Sequence, residues 1–516
     1  MCLHGNILSR NRFHMIKKST SHILINRQAG EVRVALLESG LVQEVHIERA
    51  NELSIVGSIY RGVVTRVMPG LQAAFVDFDG DRSGFLHIKD VLVKSVTPLN
   101  QQANLSNNDK DIRYLLREGQ KIIIQVIKAA VAEKGARLST NLTLVSNYAV
   151  YKPYGLDHKI SHRINVKDER ARLNDGLTEI LDNNSLESKR RVGSYILRSA
   201  AKNINLNLLK ADINFLQRLW SALEVKIGIA EGPSCLHREL PVEQRLIRDL
   251  AVGELAQITV DDEYLVLKLQ QFCDELKIDI PKGIHYYSES QPIFGKYKID
   301  DQIDKALQRR VDLDNGGYLI IDQTEAMATI DVNTGSNIGR QDPEQTVYQT
   351  NLCATTEIAH QIRLRNLSGI IVIDFIDMQK PVHREHVLGS LKKAMSGDRT
   401  ELFISKFTEL GLVQIRRKRT HQSLRQLLHS DCPVCNGHGS LKSIDTVIFE
   451  IWRELKRVAD TYDCTTLSVR ASSEVIEGFL ASKETFMKAF EGVFKCTIEI
   501  TDQPLFTREQ FDVIRG

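Results

Sequence analysis

Two aspartates stand at the ends of apolar runs in this chain. Asp331 follows Ile330 in YLIIDQTEAMATIDVN, and Asp374 follows the four apolar residues Ile370–Ile373 in GIIVIDFIDM. A carboxylate buried beside strands costs several kcal/mol unless a cation or strong donors compensate it, so something positive belongs near each. The two acids flank one helical crossover and lie 43 residues apart. The fold can therefore bring them to one sheet edge, where open α/β sheets place ligands. With the amide oxygen of Asn333 they form an all-oxygen set, which suits Mg²⁺ with waters retained and not zinc. Mg²⁺ so held activates a water and offsets charge on a phosphodiester, which is metal-assisted hydrolysis. The competing explanation is an Asx-type turn at Asp331 and Asn333, with Asp374 capping the next element, and pattern alone leaves the two evenly matched. No GxxxxGK[ST], HExxH or GxSxG occurs, which narrows the field towards carboxylate and metal.

A second candidate site is DCPVCNGHGS, residues 431–440. Cys432 and Cys435, followed by glycines that permit a tight turn, resemble half of a zinc site. A thioredoxin-like redox pair would lead directly into a helix, and NGHG starts a helix poorly. Structural zinc takes four ligands, whereas this segment offers two, with His429 and His438 as uncertain extras. The simplest completion is a second copy of the chain across a two-fold axis, giving a zinc-linked homodimer.

Periodicity supplies the elements that must position these groups. HILINRQAGEVRVALLESGLVQEVHIE alternates apolar and polar residues around two glycine breaks, as antiparallel strands do. From Val56 to Ile88 short strands continue between PG and GD turns, and KIIIQVIK (121–128) closes the run after a polar insertion, Thr97–Asp111. This spacing fits a small OB-type barrel. On it Phe75 and Phe85 could stack bases while Arg61, Arg66 and Lys134 meet phosphates, although strand phenylalanines are most often core. Leu209, Ile213, Leu216, Trp220 and Leu223 recur at spacings of four and three, the buried stripe of an amphipathic helix. Arg198 and Ser199, straight after the strand-like SYIL, could grip a phosphate together. From Tyr318 the order strand, helix, strand with continuous apolar runs is α/β and implies a sheet buried on both faces. Its helix, about Pro343–Leu367, turns Leu352, Ile358, Ile362 and Leu364 inward and the polar residues of QIRLRN outward.

At 516 residues the chain exceeds what one core organises, so about three or more packed units are expected. No run of about 18 apolar residues offers a membrane span. The N-terminus is basic but lacks the apolar core of a secretory signal, Met15 is an alternative start, and a cytoplasmic address is the expectation. Eight cysteines, six of them scattered, argue against a disulfide framework. Basic and acidic residues nearly cancel, 68 against 65, yet Gln414–Ser430 holds five basic residues (416, 417, 418, 419, 425) and no acid. That run suits a polyanion as well as it suits a solvated face.

GSIYRGVVTRVMPGLQAAFVDFD, LIIDQTEAMATIDVN, LRNLSGIIVIDFIDM and CPVCNGHG occur in this order, and over nearly its whole length the chain resembles the ribonuclease E/G family. It ends soon after the cysteine motif, so the expectation is the short branch, without a long Pro-rich and acidic scaffold tail. The resemblance implies a single-strand-specific endoribonuclease that cuts A/U-rich RNA with Mg²⁺, leaves a 5′-phosphate and a 3′-hydroxyl, and prefers a 5′-monophosphorylated end. Its implied roles are ribosomal RNA 5′-end maturation and mRNA decay; the alternatives are a non-catalytic RNA-binding scaffold or the catalytic part of a degradosome organiser. The metal-holding aspartates fall on Asp331 and Asp374, with Asn333 beside them, and the zinc-linking cysteines on Cys432 and Cys435. RNA-binding positions fall on Phe75, Phe85 and Lys134. The 5′-phosphate sensor falls on Arg198 and Ser199, where SAAKN replaces the family's threonine and glycine-rich residues. The implied architecture is α+β and multidomain. After a tail (1–20), a ribonuclease H-like part (21–53 and 244–306) is interrupted by an OB-fold RNA-binding barrel (54–140) and a sensor region (141–243). A deoxyribonuclease I-like α/β catalytic domain (307–428), a zinc link (429–442) and a small C-terminal domain (443–516) follow.

Overall fold

The computed structural model of the chain describes residues 21–50, 55–80, 83–96, 111–130, 135–185, 193–250, 255–336, 342–462, 465–481 and 497–515. The chain forms two compact units, Met1–Leu427 and Leu428–Gly516. In the first, strands Ser21–Gln28, Glu31–Glu38 and Leu41–Arg49 form an antiparallel meander. Its second turn carries Ser39 and Gly40, both at positive φ, as a tight two-residue hairpin requires. Leu255–Val260 then pairs in parallel with Ser21–Gln28, so everything between is an insertion into one sheet. Helices Val242–Leu250 and Glu263–Leu276 cover that sheet through Leu246, Ile247, Leu265 and Leu269, which pack on Ile23, Ile25, Val34 and Leu36.

The insertion begins with the expected barrel. Ile59–Met68, Ala73–Asp77, Ser83–His87, Ala136–Ser139 and Lys121–Lys128 pair in sequence, and the last returns to the first. Tyr60, Val64, Val76, Phe78, Leu86, Ile122, Ile124 and Leu138 fill it. At Gly62 and Gly84 the walls come too close for a side chain: a Cβ there would lie 2.5 Å from Val76 Cγ1 and 2.6 Å from Leu138 Cδ1. Next comes a small four-stranded sheet backed by helices Lys167–Ser185 and Leu206–Ile229. The predicted stripe lies on the second helix, with Leu209, Ile213, Leu216 and Leu223 buried and Trp220 half-buried against Tyr151.

The α/β sheet runs Arg310–Asp312, Tyr318–Gln323, Met327–Asn333, Gly369–Asp374, Leu412–Arg417, Leu402–Ile404. It corrects the expectation of burial on both faces, because its strands alternate. Leu319, Ile321, Ala328, Ile330, Val332, Ile371, Ile373, Val413 and Ile415 pack under the crossover helix Pro343–Leu364 and its neighbour Pro381–Ala394. The other face is open. The helix also corrects its predicted outer face, since within QIRLRN the side chains of Gln361, Arg363 and Arg365 are buried. Arg363 reaches the N-terminal meander, donating to Glu38 at 2.9 Å and to Glu44 at 3.2 Å, and His360 Nε2 donates to the Val42 carbonyl at 2.8 Å. Within the basic run Arg417 is likewise structural, buried in a 2.6 Å ion pair with Asp398. Residues 416, 418, 419 and 425 stay exposed.

In the second unit Thr466–Ala471 is flanked by a parallel Thr497–Asp502 and an antiparallel Phe511–Arg515. Helices Ile444–Thr461 and Ser473–Ala481 pack on it through Ile451, Leu455, Val475 and Phe479. Among the described residues no helix is long and apolar enough to cross a membrane.

The Arg363 clamp makes a stability prediction. Arg363→Met removes the buried cation and leaves the half-buried Glu38 and Glu44 without it, a change that costs about 1.5–3 kcal/mol. Urea titration should show a lower midpoint for this variant, and an unchanged midpoint would mean the clamp contributes nothing.

Candidate active site

Asp331 and Asp374 are direct neighbours, because Met327–Asn333 and Gly369–Asp374 run parallel with the two aspartates in register. Both side chains lie on the open face and are exposed, so the expectation of buried carboxylates is corrected. Neighbouring strands lie about 4.8 Å apart, which sets two like charges side by side. Burial and then the charges of Asp331 and Asp377 push Asp374 above the usual carboxylate range. Among the described residues no group of three or more His, Cys, Asp or Glu converges as a metal cage. Two exposed carboxylates without a cage suit a hard cation that keeps much of its water, and zinc would demand more protein ligands.

Asn333 takes the role of an orienting group. Its Nδ2 donates to Asp331 Oδ2 at 2.9 Å, an assignment fixed by chemistry, since an ionised carboxylate only accepts. The turn preceding Tyr318 is pressed against the same residue: a Cβ at Gly317 would lie 2.8 Å from the Asn333 carbonyl oxygen. The segment after Asp374 is held by the crossover helix. Buried Asn351 donates to the Ile376 carbonyl at 2.8 Å and accepts from the Ile376 N–H at 3.1 Å. Glu344 accepts from the Gln379 and Lys380 N–H groups and pairs with His383 at 2.9 Å. Sequence reading missed Asn351, Glu344 and Asp377; only Asp377 left a trace, the repeated acid in IDFID.

On the barrel, Phe75 and Phe85 face each other across paired strands, their rings 6.0 Å apart at 71°, with His87 6.4 Å beyond Phe85. Both are half-buried and lie outside the core cluster, while their neighbours Ala74, Val76 and Leu86 fill the interior. Arg66 is exposed and pairs with Phe75 across the strands. Arg61 is not free for phosphates, because its guanidinium donates to the Ile227 and Ala230 carbonyls at the end of the Leu206–Ile229 helix. Lys134 lies outside the described residues.

Arg198 is committed too. Its Nη1 donates to the Ser146 and Asn147 carbonyls and its Nη2 to Asp249 at 2.8 Å. Ser199 is exposed at the start of the short helix Ser199–Ala201. Buried Asp212 braces the same loop, accepting from Ser146 Oγ at 2.5 Å and from the Tyr148 and Ala149 N–H groups.

Cys432 is exposed and Cys435 half-buried, both free thiols. The Cys435 and Val434 N–H groups and the Cys435 side chain draw the Cys432 thiol below its ordinary pKa, and Cys435 Sγ accepts from the Gly439 N–H at 3.3 Å. Asn436, Gly437 and Gly439 at positive φ make the turns that aim these amides at sulfur. Amides directed at Cys432 stabilise its thiolate, the form that binds a metal. The next helix begins only at Ile444, unlike a redox pair that opens a helix.

Known proteins share this arrangement of segments. A model of the ribonuclease E/G family matches residues 143–420, an S1 RNA binding domain model matches 54–141, and a model of an RNase E/G thioredoxin-like domain matches 431–516. Ribonuclease G of Escherichia coli (strain K12) is 39% identical over 495 residues, 96% of this chain and 99% of that protein. Ribonuclease G of Haemophilus influenzae is 39% identical over 494 residues, covering 95% and 99%. Ribonuclease E of Escherichia coli (strain K12) is 34% identical over 488 residues, 93% of this chain but 45% of that protein. The chain belongs to the ribonuclease E/G family.

The acid pair yields a test that needs no activity. A raised Asp374 contributes stability while protonated and loses it as pH rises through its folded value, so at pH 7.5 the metal-free protein carries the repulsion in full. Asp374→Asn should raise the metal-free melting temperature by roughly a degree or two. It should also remove the further rise that millimolar Mg²⁺ gives the parent. Equal Mg²⁺ stabilisation of parent and variant would remove Asp374 from any metal site.

Proposed function

We infer that the chain is an endoribonuclease of its family's kind, hydrolysing phosphodiesters in single-stranded, A/U-rich RNA with Mg²⁺. The observation that carries this is the in-register pair Asp331 and Asp374 on an open sheet face, with Asn333 turned onto Asp331. The two aspartates would hold the ion, which when bound supplies an activated water and neutralises charge on the phosphodiester. Asn333 fixes the rotation of the Asp331 carboxylate, and Asn351 with Glu344 keeps the segment beyond Asp374 from drifting. Phe75 and Phe85 offer rings to unpaired bases, with Arg66 beside them and Lys134 following in sequence. Cleavage of the P–O3′ bond leaves a 5′-phosphate and a 3′-hydroxyl.

Preference for a 5′-monophosphate would rest on Arg198 and Ser199. Because Asp249 already holds Arg198 Nη2, an incoming phosphate must share or displace that carboxylate. The flanking architecture follows the family: a ribonuclease H-like sheet interrupted by the barrel and sensor region, then a deoxyribonuclease I-like catalytic part. Cys432 and Cys435, with the same pair from a second copy, would bind one structural Zn²⁺ and link a homodimer, and mass measurement distinguishes that dimer from a tetramer. The setting is cytoplasmic, and the substrates are ribosomal RNA precursors and mRNA.

Cleavage of a 5′-monophosphorylated, A/U-rich oligonucleotide should require Mg²⁺. Asp331→Asn or Asp374→Asn should lower kcat by about a thousandfold while RNA binding in a filter assay persists, and Asn333→Ala should cost about 10- to 100-fold. Full activity in either aspartate variant would sink the assignment; binding without cleavage by the parent would leave an RNA-binding scaffold in its place. Separately, Cys432→Ser should reduce both zinc content and assembly mass in light scattering. A variant unchanged in both would refute the shared site.

A further inference from the structure

The sheet face that carries the two aspartates changes chemistry along its strands. Met327 pairs with Ile370, Ile370 with Arg416, and Arg416 with Phe403, so these four residues form one row across four neighbouring strands. Their in-strand neighbours Ala328, Ile371 and Ile415 point into the core, and the row itself faces outward. Met327 is 39% exposed, Ile370 51% and Phe403 62%. Between this row and the aspartates lie Thr329, Val372 and Gln414. Three of its four residues are apolar and left open beside an acidic site, with Arg416 between Ile370 and Phe403, and nothing in the core requires them there.

We propose that this row is a platform for an unpaired nucleobase of the RNA strand being cut, with Phe403 carrying the base and Arg416, which lies between Phe403 and Ile370, meeting its phosphate or ring. The proposal rests on the endoribonuclease function inferred above. It follows from continuity: Met327 and Ile370 lie four residues along the same two strands from Asp331 and Asp374, roughly 13 Å at about 3.3 Å per residue, and Arg416 and Phe403 continue the row on the next two strands, a span that a few nucleotides of unstacked RNA cover. It follows also from chemistry. Every base has an apolar face that stacks on an aromatic ring or a guanidinium plane whatever its sequence, and Arg416, Lys418 and Arg419, all exposed, supply the charge a phosphate backbone needs. A paired base has both faces occupied within a duplex and cannot settle here. The row therefore selects single strands close to the cut, separately from the barrel.

The test is a scan with 5′-monophosphorylated single-stranded oligonucleotides in which one abasic residue is moved position by position on both sides of the cut. With the parent protein, one position should raise KM about tenfold when its base is missing. Phe403→Ala should raise KM about tenfold for the intact oligonucleotide and become indifferent to the abasic residue at that position, and Phe403→Trp should restore the parent pattern. Equal sensitivity of parent and Phe403→Ala at every position overturns the platform. So does a change of assembly mass in Phe403→Ala, which would make this face a contact between copies. A parent that cuts but shows no Phe403-dependent position sinks the platform alone, whereas a parent that cuts no RNA sinks the endoribonuclease inference and the platform with it.

Discussion

Two carboxylates locked side by side by parallel strand register are the constraint around which the α/β sheet is organised. Asp331 and Asp374 cannot separate without sliding one strand past the other, and a slip of one residue would send Ile330 and Ile373 out of the core. Apolar burial on one face thus imposes charge repulsion on the other. The repulsion is tolerable because the pair is solvated, and it leaves a standing demand for a cation. Neighbouring features serve the same geometry: Asn333 sets the rotation of one carboxylate, and Asn351 with Glu344 fixes the backbone that follows the other.

The sheet that carries the aspartates is also tied to a distant part of the chain. Arg363 and His360 on the crossover helix reach Glu38, Glu44 and Val42 of the N-terminal meander, more than three hundred residues away in sequence. The same meander is completed by Leu255–Val260, after the barrel and the small sheet have been inserted. One sheet therefore frames the inserted RNA-binding module and braces the helix that positions the acidic edge. Arg198 extends this logic, joining the small sheet to Asp249 on a helix of that same frame.

Much of this was legible in the sequence where a single period dominated. The barrel followed from short alternating strands, and the 206–229 helix from its stripe, because one face of each is buried and the other is not. The α/β sheet was misread for a physical reason. GIIVIDFIDM looks like a strand buried on both faces, yet Ile370 and Val372 point away from the core, and an apolar residue leaves the same mark in sequence whether it faces core or solvent. The same ambiguity runs the other way for charge: Arg61, Arg363 and Arg417 read as solvated or phosphate-binding and are instead consumed by helix-end carbonyls and by carboxylates that are half-buried or buried. Such partners lie far off in sequence, and no local pattern announces them.

The residues that misled the reading are informative for the same reason. Solubility favours polar side chains on an open sheet face, and Thr329, Gln414 and the aspartates conform, with half-buried Val372 between the first two. Met327, Ile370 and Phe403 do not: the first two are neighbours on adjoining strands and Phe403 follows beyond Arg416 in the same row, where scattered exposed apolar residues would be unremarkable. Met327 and Ile370 lie on the strands that carry the acids, which ties the exception to the site. A substrate that is anionic along its backbone and apolar on its bases would meet both chemistries on one face, with the carboxylates at one end and the row of Met327, Ile370, Arg416 and Phe403 at the other.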